Sequence, residues 1–407
     1  MKTNALIIGS GIVALTIARE LISKGFDDIL IIEKESAAGL HASGRNSGVL
    51  HAGIYYATDS LKAQFCLSGN LKMQHYCEEN KLPLNRCGKI IIAKNEGELP
   101  TLQLLYERAI ANGAKVDLID EKQLSEIEPW AKTTRKALYS HSTAIVDPKR
   151  ILDHLYHELL TTQKCRFLFN TNFITLKNKN NAITNQGNIE FQFVINAAGA
   201  YADKVAHAFG LAQSLLMIPF KGIYRKLRSD QNYRVNGNIY PVPNIHNPFL
   251  GVHFTKNIHG DVYVGPTAIP AFGRENYGLF SGIDKEALPI LSKSIQLFFT
   301  NRKFREIALT EPKKYFPSCF YNAAKSLVKN LEKEWLIASP KSGIRPQLVN
   351  WKTKELMMDY LIEETDNSIH LLNAISPAFT SSMAIAEHIV TRYLCAKRTT
   401  MPALSEH

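Results

Sequence analysis

The chain has 407 residues, 45% hydrophobic and 21% charged, the make-up of a folded protein with a sizeable core and, at roughly 150 residues per domain, two or three domains. Its 48 Lys and Arg outweigh 37 Asp and Glu for a net charge of +11, but they are scattered, which argues against a nucleic-acid-binding face and leaves an anionic substrate or an anionic membrane surface. Six cysteines without a C-x-x-C pair indicate neither a zinc site nor a dithiol centre and fit a reducing, cytoplasmic setting, and no uncharged apolar stretch reaches 18 residues, so no membrane-spanning helix is expected.

Met1-Lys2-Thr3-Asn4 precedes an apolar run. Glycines at 9 and 11 interrupt that run and no A-x-A-like cue follows, so residues 5–8 read as a buried parallel strand rather than a signal peptide. The loop Gly9-Ser10-Gly11-Ile12-Val13-Ala14 comes next. Its first glycine suits a tight turn, its second lets backbone approach a diphosphate, and Ala14 is small enough for helix–strand contact. An amphipathic helix over 12–23, ended by Lys24-Gly25, offers the N–H groups of Ile12 and Val13 and a positive dipole end to that diphosphate. A second apolar strand, 29–32, closes at Glu33, where a carboxylate accepts hydrogen bonds from ribose hydroxyls, with Lys34 beside it. Strand, glycine loop, helix, strand and acid together predict dinucleotide binding, but do not choose between NAD and FAD.

The middle of the chain is mixed. A strand is expected over 89–93, a helix over 102–112, a turn at Asp147-Pro148 with a helix after it, and a strand from Phe193 into the small-residue turn Ala197-Ala198-Gly199. Residues 220–335 are rich in aromatic and β-branched side chains, with turn signals at Asn236-Gly237, Asn247-Pro248 and His259-Gly260. Strand (369–372) and helix (376–394) return at the end. The two ends thus read as one nucleotide-type domain carrying β-rich insertions.

Several segments carry a resemblance. GLHASGRNSGVLHAGIYY (39–56), RCGKIIIA (86–93), IYPVPNIHNPFLGVHFT (239–255), VYVGPTAIPAF (262–272), KSGIRPQL (341–348) and ISPAFTSSMAIAEHI (375–389) resemble the D-amino-acid-oxidase-like FAD superfamily. Within it they resemble the L-2-hydroxyglutarate dehydrogenase/oxidase branch. IVDPKRI (145–151) and VINAAGAYAD (194–203) are similar to segments found across the superfamily. The resemblance covers essentially the whole chain. It departs at Arg45 and Pro346, and over the Lys- and aromatic-rich stretch 311–335.

The resemblance implies an α/β FAD-binding domain of Rossmann-like, glutathione-reductase type. A second α+β substrate domain on a mixed or antiparallel sheet would accompany it. Residues 1–85, 145–218 and 336–407 would form the first, and 86–144 and 219–335 the second. It further implies FAD-dependent oxidation of L-2-hydroxyglutarate to 2-oxoglutarate by hydride transfer to flavin N5, with electrons passed to quinone or oxygen.

By the same resemblance Ser43, Gly44, Asn46, Ser47 and Gly48 meet the flavin. Ala197, Ala198 and Gly199 let the cofactor diphosphate pass closely, and Phe173 lends backbone to the adenine. The helix that opens at Ser376-Pro377 points its N-terminus at the flavin pyrimidine, with Thr380 and Ser381 as further donors. Arg345 is the expected anchor for a substrate carboxylate, because a guanidinium fork binds both oxygens. The base that takes the hydroxyl proton is His51 or His253. Tyr55, Tyr56 and Lys221 are weaker candidates for a second carboxylate. No metal site is expected.

Three other readings stay open: a secondary-amine or amino-acid oxidoreductase, a glycerol-3-phosphate oxidoreductase, and a basic flavin-binding accessory protein acting on nucleic acid. The alternation of Lys313, Lys314, Lys325, Lys329 and Lys333 with Tyr315, Phe316, Phe320 and Leu327 suits either a packed, solvated helix or peripheral contact with the inner face of the cell membrane.

Overall fold

The computed structural model describes residues 1–244, 249–279, 281–283 and 285–395; the expected Asn247-Pro248 turn and residues 396–407 lie outside them. The N-terminal apolar run forms β1 (Lys2–Ile8), paired in parallel with Gly187–Asn196 on one side and β2 (Ile29–Ile32) on the other. Cys165–Leu168 extends the parallel array beyond β2, and Ser368–Leu372 extends it beyond Gly187–Asn196. Antiparallel strands Phe173–Asn178, Asn181–Thr184 and Leu361–Glu364 complete an eight-stranded sheet.

Strand alternation divides the apolar residues between two faces. Ala5, Ile7, Ile29 and Ile31 pack into a core with α1 (Ile12–Ser23) and helices Leu61–Glu79, Pro148–Thr161 and Ala378–Ile389. Leu6, Ile8, Leu30 and Ile32 pack on the reverse with Val205 of helix Ala202–Ala208. Burial of each Leu or Ile contributes roughly 1.5–3 kcal/mol. That burial anchors the strand and helix on either side of the glycine loop, so the loop can hold a conformation it would not adopt alone.

The β-rich middle forms a ten-stranded mixed sheet. Its long pair is Leu215–Leu227 against Leu336–Asn350, antiparallel, with Phe220 opposite Arg345 and Gly222 opposite Gly343. Val262–Gly265, His253–Lys256 and Asn238–Pro241 follow, and then one parallel step to Lys89–Ile92. A small three-stranded sheet, with Ala144–Val146 between Val49–Leu50 and Leu84–Asn85, is hydrogen-bonded separately and packs Leu50, Ala144 and Val146 into the same core as β1 and α1.

This register corrects the sequence boundaries. Leu336–Asn350 was expected in the FAD domain, within 336–407, yet it is a strand of the ten-stranded sheet, which already begins at Leu215. A motif at the cleft shows which face a strand presents, not which sheet it belongs to. In the 311–335 stretch Phe320, Ala324 and Leu327 are buried in the core of the ten-stranded sheet, whereas Tyr315 and Phe316 are exposed.

Candidate active site

Gly9 sits where the glycine loop crosses the turn after Gly187–Asn196. Its φ is +100°, and a Cβ there would lie 2.7 Å from the carbonyl oxygen of Ala197. Ala197 N donates to Ile8 O at 3.0 Å and Gly9 N to Ile32 O at 2.8 Å, locking the crossing. A Cβ on Gly11 would come within 3.0 Å of Ser43 Oγ, which accepts from Ile12 N at 2.9 Å and so ties the flavin segment to the start of α1. Glu33 accepts from Ser10 N at 2.9 Å, Ser10 Oγ at 2.7 Å and Glu35 N at 3.0 Å. Its carboxylate is therefore fixed at the cleft before any ribose arrives.

A cavity of about 820 Å³ runs from this loop toward the substrate sheet. Gly9, Gly11, Ile12, Val13, Glu33 and Lys34 line one end, with Phe173, Ala197, Ala198 and Gly199 close by. Ser43, Asn46, Ser47, Ser376, Pro377 and Thr380 line its middle. No side chain caps the Ala378–Ile389 helix, whose N-terminus opens on the cavity. Thr380 Oγ1 accepts from His51 N at 3.2 Å, holding that helix end against the flavin segment. Small residues, the N-terminal ends of two helices and a prepositioned acid fit an extended dinucleotide such as FAD.

Three of the expected cofactor residues do not line the cavity. Gly44 and Gly48 are demanded by backbone packing: a Cβ would lie 2.4 Å from Gly39 O and 2.5 Å from Val146 O respectively. Ser381 turns into the interior, where its Oγ accepts from the Tyr360 hydroxyl at 3.3 Å.

At the substrate end the cavity brings together His51, His253 and Arg345. Arg345 Nε is buried without a hydrogen-bond partner, its guanidinium stands 4.8 Å from the Phe249 ring, and no carboxylate pairs with it among the described residues. Burial lowers its pKa to about 10, still well above neutrality. His253 Nδ1 lies 2.8 Å from Gly251 O, a contact that requires Nδ1–H and leaves Nε2 a free lone pair in the neutral ring. Burial, opposed by that hydrogen bond, brings the His253 pKa down to about 3, and burial holds His51 well below its ordinary value. Both imidazoles are therefore proton acceptors at neutral pH.

The second-carboxylate candidates are not in the cavity. Phe220, Gly222 and Tyr224 alternate onto it, so Lys221 points to the reverse of its strand. There its Nζ donates to Gly278 O at 2.7 Å and Asn276 Oδ1 at 3.3 Å. Tyr55 is held beneath Lys89 and Tyr56 beside Lys62.

One segment at the cavity has no clear sequence signal. Residues 271–279 run from the ten-stranded sheet to the outer edge of the cleft. Arg274 forks onto Asp203 at 2.5 and 2.9 Å, Glu275 pairs with Lys34 at 2.6 Å, and Tyr277 Oη meets His41 Nδ1 at 2.8 Å. Arg45, a departure from the family pattern, lays its guanidinium 4.0 Å from the centre of the Tyr277 ring. Glu35, His41 and Glu275 draw close enough to suggest a cation site, but the Lys34 ammonium already pairs with both acids.

The family described as FAD dependent oxidoreductase (DAO) matches residues 4–392. The L-2-hydroxyglutarate dehydrogenase of Escherichia coli strain K12 is 34% identical over 393 residues, covering 95% of this chain and 92% of that protein. The mitochondrial L-2-hydroxyglutarate dehydrogenase of Bos taurus is 33% identical over 416 residues, covering 94% and 87%. Among solved structures, dithionite-reduced L-alpha-glycerophosphate oxidase from Mycoplasma pneumoniae with FAD bound superposes with a TM-score of 0.73 at 23% identity, covering 96% of this chain and 94% of that one. Glycine oxidase from Geobacillus kaustophilus gives 0.70 at 18% identity, covering 100% and 96%. At those identities the structural likeness establishes the fold.

Proposed function

Since this chain belongs to the DAO family of FAD-dependent oxidoreductases, we propose that it oxidises L-2-hydroxyglutarate to 2-oxoglutarate. One observation carries the reading: an arginine with no acidic partner among the described residues faces the same cavity as two neutral histidines. Arg345 supplies the fork for the carboxylate beside the reacting carbon, which fixes the orientation of the hydroxyl-bearing carbon. His253 Nε2 or His51 then takes the hydroxyl proton. FAD, when bound along the glycine loop, supplies the hydride acceptor. The Phe249 and Tyr240 rings line the same cavity, Phe249 against the Arg345 guanidinium and Tyr240 against the His253 ring.

Anaerobic addition of the L isomer to the purified yellow enzyme is expected to bleach the flavin, and the D isomer to leave it unchanged. Bleaching by an amine, an amino acid or glycerol 3-phosphate, with none by L-2-hydroxyglutarate, overturns the substrate and leaves the fold standing.

The electron acceptor in this reading is a quinone or oxygen, and the quinone is met at the inner face of the cell membrane. No helix among the described residues is long and apolar enough to cross a membrane. Helix Ala287–Thr300 instead exposes Leu288, Leu291, Ile295 and Phe299 at helical spacing, followed by exposed Leu309 and Phe316. Exposed Arg302, Lys303 and Lys313 stand along the same segment, a complement for anionic headgroups. Co-sedimentation with phosphatidylglycerol vesicles is expected at low salt and should fall on Leu288→Asp/Phe299→Asp substitution; vesicle binding that ignores both salt and these residues sinks this contact.

A further inference from the structure

Lys89 opens a strand of three isoleucines, Lys89–Ile92, and is 1% exposed. Its Nζ has no hydrogen-bond partner among the described residues. The Tyr55 and Tyr240 ring centres stand 4.7 and 5.1 Å from it. A lysine ammonium inside a strand core is costly unless paired, and here the faces of Tyr55 and Tyr240 attend it. The cluster is also a functional neighbourhood. Tyr240 stacks on the His253 imidazole with ring centres 3.8 Å apart. His51 Nδ1 and the Tyr55 hydroxyl are likewise buried without partners. Lys89 does not line the cavity, whereas His51, Tyr240 and His253 do.

We propose that Lys89 is a positioning residue: its ammonium, buried under the Tyr55 and Tyr240 rings, fixes the Tyr240 ring on which the His253 imidazole stacks and sets a positive charge beside the two cavity histidines. This rests on the reading of His51 or His253 as the base. The groups that bear on His51 are Lys89 and His253, and Lys89 bears in turn on His253. Cys66, whose thiol donates to His51 O at 3.3 Å, is the titratable group facing Lys89 itself, and burial pushes that thiol up to about 12. No carboxylate is among these groups. Burial is the larger cause of each histidine's lowered pKa, and the Lys89 charge adds to it in the same direction, because two like charges disfavour the imidazolium. Burial brings Lys89 itself to about 8, so it is charged at neutral pH.

The sign follows directly. Lys89→Met removes the repulsion, so the histidine pKa values rise and the acid limb of the kcat/KM profile moves to higher pH by about one unit. Lys89→Arg keeps the charge and is expected to leave the limb in place. Carbon-13 histidine NMR of the FAD-loaded enzyme reads the same change without turnover, with His51→Asn and His253→Asn assigning the signals. In the unaltered enzyme these signals are expected to stay neutral to the acid end of the folded range and to show a small inflection near pH 8, where Lys89 loses its proton. In Lys89→Met the inflection is lost and titration begins at higher pH. Histidine signals that move as stated in an enzyme inert toward L-2-hydroxyglutarate support the role of Lys89 and sink only the substrate. Unmoved signals in a yellow, folded Lys89→Met protein overturn the proposal. Should that variant not fold, absence of the inflection near pH 8 in the unaltered enzyme overturns it equally.

Discussion

Replacement of Arg345 by Met is expected to lower kcat/KM for L-2-hydroxyglutarate by roughly 10²–10³-fold, the equivalent of about 3–4 kcal/mol for a charge-assisted fork in a partly dehydrated site. FAD content should be unchanged, since Arg345 lies on the substrate sheet and not at the glycine loop. Arg345→Lys should recover only part of the loss, because an ammonium is a point charge and cannot bind both oxygens in one plane. The substrate-free variant supplies a second signature. A cation whose Nε is buried without a partner destabilises the resting protein, so Arg345→Met should melt at least as high as the parent while working far worse. The same cation sets an alkaline limit: with its pKa lowered to about 10, carboxylate binding should weaken as pH rises through that value. If Arg345→Met binds substrate normally, the anchor lies elsewhere, and the orientation argued for the hydroxyl-bearing carbon fails with it.

The glycine loop, its helix and Glu33 were legible because each is local. A strand reads from four consecutive apolar residues, a turn from glycines at fixed spacing, and an acid from its place at a strand end. His51, His253 and Arg345 were found through short motifs, and the fold then brought these three to one cavity from segments some 200 and 90 residues apart. Residues 271–279 were not legible, because their placement rests on Arg274 finding Asp203 and Glu275 finding Lys34, pairings no local pattern encodes. Lys221 failed for a different reason. Its type and neighbours suited a dianion, but a strand shows alternate residues to opposite faces, and the register with 336–350 puts Phe220 and Gly222 on the cavity side. Lys89 carried a usable signal that proximity to a motif obscured: a charge set at the head of a fully buried isoleucine strand.

The largest effect on the cofactor is expected at the loop. Gly9→Ala should yield protein without flavin. Two penalties combine there. The +100° φ lies where L residues are rarely found, and a Cβ would approach Ala197 O to 2.7 Å, closer than a carbonyl oxygen tolerates. Relief requires Ala197 to move, but its N–H is bound to Ile8 O and its strand is paired along β1. The loop therefore shifts instead, and with it the start of α1, where Ile12 N is tied to Ser43 Oγ at the cavity wall. Gly187 separates the two penalties. It has φ of +109° but nothing within 4 Å of its Cβ position, and it does not itself line the cavity. Gly187→Ala should lose about 1–2 kcal/mol of stability from backbone strain alone and remain yellow. FAD content by absorbance, measured beside thermal unfolding, distinguishes the two. A Gly9→Ala protein that purifies with a full complement of FAD would show that close backbone approach at this crossing is not what admits the diphosphate.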